Sequence, residues 1–231
     1  MTRKTGFSKV PYLGVLAGLL GHFFHATALS GGSAVPLIAF SLLSAALFAL
    51  AAAALEKSAS CAALFRPMRR DFALSLLAAV LLGAGCVLSF PGGGMIARLI
   101  CVLGLVGALS LAVSAVFRLR GAAPAAIFHV PATLFYVCRL FSDFRRWTVD
   151  PAILDYCFCL LALICFMLST YHMGAFSLDH GARRRLCFYS LGGVFFGAAS
   201  IAALPLAQAL IYGAGALFSL AFAIQAFGNG K

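Results

Sequence analysis

The segment from residue 139 to residue 156 holds the densest group of chemically capable side chains in the chain: Arg139, Asp143, Arg145, Arg146, Trp147, Asp150, Asp155 and Tyr156. Three of the six acidic residues lie within it, beside three arginines. On a helix, His129, Tyr136, Arg139, Asp143 and Arg146 succeed one another by seven, three, four and three positions, so they form one stripe. Along it Arg139 can pair with Asp143, and Asp143 with Arg146. A guanidinium presents a planar fork that fits a carboxylate or phosphate, so this stripe is suited to holding a small polar or anionic group. Arg98, a few residues into an earlier apolar run, is placed at the same depth, and Asp155 could neutralise one of these arginines. The competing reading is interfacial: Arg98 and Arg139 are within about one turn of the headgroups and can snorkel, with Trp147 and Tyr156 as belt residues.

His22 and His25, three apart on one helix face, complete the candidate substrate-binding set of Arg139, Asp143, Arg98, Asp155, Arg146, His22 and His25. With a third ligand the two histidines could hold a transition metal. The plainer reading is an interfacial pair among Phe23 and Phe24, and no metal site is assigned. Eight cysteines include no Cys-x-x-Cys pair, and Cys157 and Cys159 point about 200° apart on a helix, so packing is the reading for them. Lysine occurs only at 4, 9, 57 and 231, outside every apolar run, which excludes a Schiff base inside a bundle. There is no His-Glu-x-x-His helix, no Gly-x-Ser-x-Gly elbow and no Gly-Lys-Ser/Thr loop. No catalytic residue and no cofactor is assigned.

The elements that must position these residues follow from composition. Of 231 residues, 63% are hydrophobic and 10% charged, against roughly 25% charged in a soluble domain. Spans of about 20 apolar residues fit at Val10–Leu29, Ala34–Leu55, Phe72–Phe90, Met95–Phe117, Ile127–Phe141, Ala152–Tyr171, Leu186–Leu204 and Leu206–Phe227. The segments are apolar all round rather than alternating, which selects helices over barrel strands. The fold class is therefore all-α, a polytopic transmembrane bundle forming a single integral membrane domain over residues 1–231. Ser30-Gly31-Gly32-Ser33 and Pro91-Gly92-Gly93-Gly94 read as tight hairpins. Gly14 with Gly18, and Gly193 with Gly197, have the spacing that lets helix backbones approach within a bundle.

With eight spans and the N-terminus cytoplasmic, thirteen of the 17 basic residues fall on the inner side, and only Arg98, Arg139, Arg145 and Arg146 on the outer. Both termini are therefore expected inside. A signal-peptide reading competes at the N-terminus, where Ala26-Thr27-Ala28 has the small-x-small form. Bulky, partly polar His22-Phe23-Phe24-His25 just before it argues for a retained span.

Compact loops suit a bacterial inner membrane. The leading functional reading is a small-solute transporter, or the membrane subunit of one, with a polar outward-facing site. No Asp or Glu is expected at mid-depth in any span, which favours facilitated movement or an energising partner over autonomous proton coupling. The alternatives are a non-transporting membrane subunit or sensor acting through a protein partner, and a lipid-modifying enzyme using His22, His25 and Asp155 as acid–base groups. The candidate partners are the lipid bilayer, a small polar or anionic ligand and a protein subunit, with no nucleic acid, because the net charge of +11 sits between apolar runs.

Overall fold

A computed structural model describes residues 9–56, 64–65, 67–92, 94–147 and 153–228, with the side chains of 146, 147 and 153–155 left aside. The described residues form eight long helices and no strand: α1 (Val10–Leu29), α2 (Val35–Ala53), α3 (Arg69–Ser89), α4 (Met95–Leu119), α5 (Val130–Trp147), α6 (Ile153–Phe176), α7 (Arg183–Ser200) and α8 (Leu206–Gly228). Short 3₁₀ turns, Ala126–His129 and Ile201–Ala203, lead into α5 and follow α7. Seven of the eight helices are long and apolar enough to cross a membrane, and the chain is a multi-pass helical membrane bundle. The other is α5. It runs beside its neighbours from Ala132, against Gly107 of α4, to Arg139, at the far end of α4, but its charges dilute its hydropathy.

Consecutive helices run antiparallel. The α1–α2 connection is closed by Gly31 at φ +95°, a conformation that a side chain would strain, with the Gly32 N–H donating to the Thr27 carbonyl at 3.0 Å. Call the end carrying this turn the hairpin end, and the opposite one the termini end. At the termini end, Arg183 Nε donates to the Ala226 carbonyl at 2.8 Å and Arg184 Nε to the Leu55 carbonyl at 2.7 Å. Both acceptors lie at or just beyond helix C-termini, where carbonyls lack partners within the helix and a cation is favoured by the dipole.

α8 is the central helix, packed on α3, α6 and α7; α4 lies on α3, and α5 fills the space between α4 and α6. α1 and α2 are peripheral, resting on the far side of α7, so Leu42 and Leu50 are 68% and 67% exposed. In a bilayer those faces meet lipid, and van der Waals packing through small residues holds the helices together. Gly18 is one case. A Cβ there would stand 3.0 Å from the Ala198 Cβ and 3.2 Å from the Val194 carbonyl oxygen, so α1 lies on α7 closely enough that any side chain would have to push its neighbours back. Gly193 and Gly197 likewise face Phe166 of α6 and the α8 residues Ser219 and Ala216.

The expected spans and the observed helices agree in number and order and differ by up to six residues at their ends. α3 begins at Arg69 rather than Phe72, α5 runs Val130–Trp147 rather than Ile127–Phe141, α6 ends at Phe176 rather than Tyr171, and α7 runs Arg183–Ser200 rather than Leu186–Leu204. Charged residues stop a hydropathy pattern without stopping a helix, so the apolar limit and the helical limit part company where Arg and Asp are accommodated.

The charge asymmetry predicts that the hairpin end faces outward. Single cysteines replacing the exposed Gly92 and His180, in a Cys-free background, should separate under an impermeant thiol reagent on intact cells: Gly92→Cys labelled, His180→Cys protected. The reverse pattern would invert the topology.

Candidate functional site

The α5 stripe folds as one buried face: His129, Tyr136, Arg139 and Asp143 are all buried, which for a helix carrying these charges requires polar surroundings. Arg139 Nε donates to Asp143 Oδ2 at 2.6 Å, the four-residue pair the sequence suggests. Arg139 is 8% exposed, and its Nη2 has no acceptor among the described residues. The same side chain lines a cavity of about 280 Å³ at the hairpin end, bounded by Ser89, Cys101, Ser142 and Gln208 from α3, α4, α5 and α8. One helical turn deeper on α5 and α8 stand the buried Tyr136 and Tyr212, the latter beside the Cys159 thiol of α6. Their rings flank Phe166, at centroid distances of 5.4 and 6.1 Å. A cavity lined by a buried guanidinium with an unused donor is a place for water or for a ligand supplying acceptors.

Coupling of Arg139 to Asp143 should appear in a double-mutant cycle of the two alanine variants, as an interaction of roughly 0.5–3 kcal/mol in detergent stability. Additive losses would show that each is solvated separately.

The other sequence-selected residues are distributed. Arg98 does not join this cavity: it is exposed on α4 with its guanidinium 5.8 Å from the Phe90 ring, while Ala97, Ile100 and Cys101 supply the α4 lining. His22 and His25 lie on the α1–α7 seam. Their Nδ1 atoms donate to the Ala198 and Ala199 carbonyls at 3.2 and 2.8 Å, satisfying acceptors in the last turn of α7. Their shared face therefore serves helix packing, and among the described residues no three His, Cys, Asp or Glu side chains gather to hold a metal ion. The backbones of Arg146 and Asp155 fall in α5 and α6, and their side chains lie outside the described residues, as does Asp150.

A second polar cluster, which the sequence reading does not single out, closes the termini end. Arg118 of α4 and Asp71 of α3 are each 1% exposed and form an ion pair of 3.5 Å. Arg118 Nη2 donates to Ser75 Oγ at 2.9 Å, and its guanidinium carbon stands 5.4 Å from the Phe222 ring of α8. Ser114 Oγ and His129 Nε2 share a 3.3 Å hydrogen bond beside it. Arg118 Nε and Nη1, Asp71 Oδ1 and His129 Nδ1 have no hydrogen-bond partner among the described residues. The available signal was spacing: Asp71 and Ser75, and Ser114 and Arg118, are each four apart, so each pair shares a helix face. From Gln208 to Gln225, α8 passes both clusters over about 26 Å at 1.5 Å per residue. Between them lie its own Phe218 and Phe222 rings and the Phe166 ring of α6.

Compared with known proteins, the chain matches no family model, no curated protein and no solved structure, so the functional reading rests on its own geometry.

Proposed function

We propose that the protein moves a small anionic solute across the membrane, taking it at the hairpin end in the Arg139 cavity. The observation that carries this reading is the partnerless Nη2 of a nine-tenths buried arginine lining a cavity of about 280 Å³. A buried guanidinium with an unused donor is costly, and an anion there meets that cost with a charge-assisted hydrogen bond. Asp143 takes Nε and orients the side chain, leaving Nη2 for the ligand.

The two-ended arrangement along α8 also supports transport. The Arg139 end holds a cavity, whereas the Arg118 end is sealed by an ion pair, a serine and the Phe222 ring. A site accessible from one side and shut at the other is what an alternating carrier presents in one of its states. Neither Asp71 nor Asp143 is at mid-depth and each pairs with an arginine, which favours facilitated movement over coupling to a proton. The charge asymmetry turns the cavity outward, and the compact loops suit a bacterial inner membrane.

Thermal unfolding of purified protein with methyl phosphate, acetate and larger carboxylates tests the site. Ligand binding to the folded state alone raises the midpoint by mass action. The wild type should be stabilised, Arg139→Lys less so despite its charge, and the exposed-loop variant Arg120→Ala as much as wild type. Equal shifts in wild type and Arg139→Lys would remove Arg139 from binding.

A further inference from the structure

The Arg139 cavity does not stand alone. On the lipid-facing side of the same helices, α4 and α5 enclose a groove of about 810 Å³, lined by Met95, Leu99, Phe141 and Arg145 among others. Met95, Leu99 and Phe141 are 79%, 60% and 70% exposed, so the groove opens to the hydrocarbon. Ala97, Ile100 and Ser142 line both spaces. The polar cavity and the apolar groove are thus neighbours across three side chains, one of them only a methyl and another a hydroxyl.

Resting on the anion-site reading above, we propose that the solute is a single-chain anionic amphiphile, its phosphate or carboxylate on Arg139 and its chain passing between Ala97 and Ser142 into the α4–α5 groove. The chemistry of the two spaces divides in that way. Arg139 Nη2 supplies the unpaired donor in the cavity, and Asp143 holds only its Nε. Apart from Arg145 the groove lining is almost wholly apolar and in the size range of small-molecule sites. A water-soluble anion would leave that groove unused. An amphiphile uses both and can enter from the bilayer without crossing the aqueous mouth.

The test uses full-length protein in phosphatidylcholine nanodiscs, with thermal stabilisation by monododecyl phosphate, methyl phosphate and dodecanol compared in wild type, Leu99→Trp and the milder Leu99→Phe. Leu99 lines the groove and not the Arg139 cavity, so a bulkier side chain there fills the space for the chain and leaves the anion site as it is. The expected result is a half-saturating concentration of monododecyl phosphate about tenfold higher in Leu99→Trp, intermediate in Leu99→Phe, with methyl phosphate unchanged in all three. Partition into the disc is common to the three proteins, so it cancels. Equal monododecyl phosphate response in wild type and both variants, or equal stabilisation by dodecanol, would overturn the amphiphile proposal while methyl phosphate binding stands. Failure of methyl phosphate to stabilise wild type would instead bring down the anion site, and this proposal with it.

Discussion

Replacing Arg118 by alanine should destabilise the protein by roughly 3–5 kcal/mol, the range for removing one partner of a buried pair. The physical reason is the environment it leaves behind. Asp71 is 1% exposed, would lose its ion-pair partner, and keeps an oxygen with no hydrogen bond among the described residues. Ser75 Oγ loses its donor and the Phe222 ring its cationic cover. The charge itself is not what stability needs, because apolar replacement of a whole buried pair is often neutral or stabilising. Asp71→Leu combined with Arg118→Met should therefore recover most of the loss. Unfolding in mixed detergent micelles measures both. A loss below about 1 kcal/mol for Arg118→Ala, the range of exposed pairs, would mean that water reaches the pair in the folded protein.

The second large effect falls on binding. Arg139→Ala combined with Asp143→Asn removes the buried cation without leaving a bare carboxylate, and should weaken methyl phosphate binding at least about tenfold, the scale of one charge-assisted hydrogen bond. Isothermal titration of the detergent-solubilised protein reads it directly. Unchanged affinity would place the anion elsewhere, with Arg98 at the Phe90 ring as the nearest alternative to examine.

Much of this architecture was legible because helix geometry fixes what is near what along one helix. The steps between His129, Tyr136, Arg139 and Asp143 placed them on one face, and they are buried on one face. Relations between helices were not legible in the same way. Spacing along α4 gives Arg98 a depth but no angle: it is one position from Ala97, about 100° around the helix, and α4 is too uniformly apolar to reveal which side faces inward. Arg118 counted as a cytoplasmic topology charge, since a terminal arginine can usually snorkel to water. Here α3 and α8 close over it, a contact between residues 47 positions apart on Asp71 and 104 apart on Phe222. The histidines of α1 showed a ligand-like spacing whose purpose is set by α7, whose last-turn carbonyls come within reach because Gly14, Gly18 and Gly21 let the backbones close.

Flux decides whether the Arg139 cavity is, as proposed, the anion site of a transporting protein. Purified protein reconstituted in phosphatidylcholine vesicles loaded with unlabelled methyl phosphate should accumulate labelled methyl phosphate by exchange, above protein-free vesicles. Arg139→Lys, reconstituted to the same density, should exchange markedly more slowly, and Arg120→Ala at the wild-type rate. Exchange by wild type no faster than in protein-free vesicles, or equal exchange by wild type and Arg139→Lys, would contradict the claim.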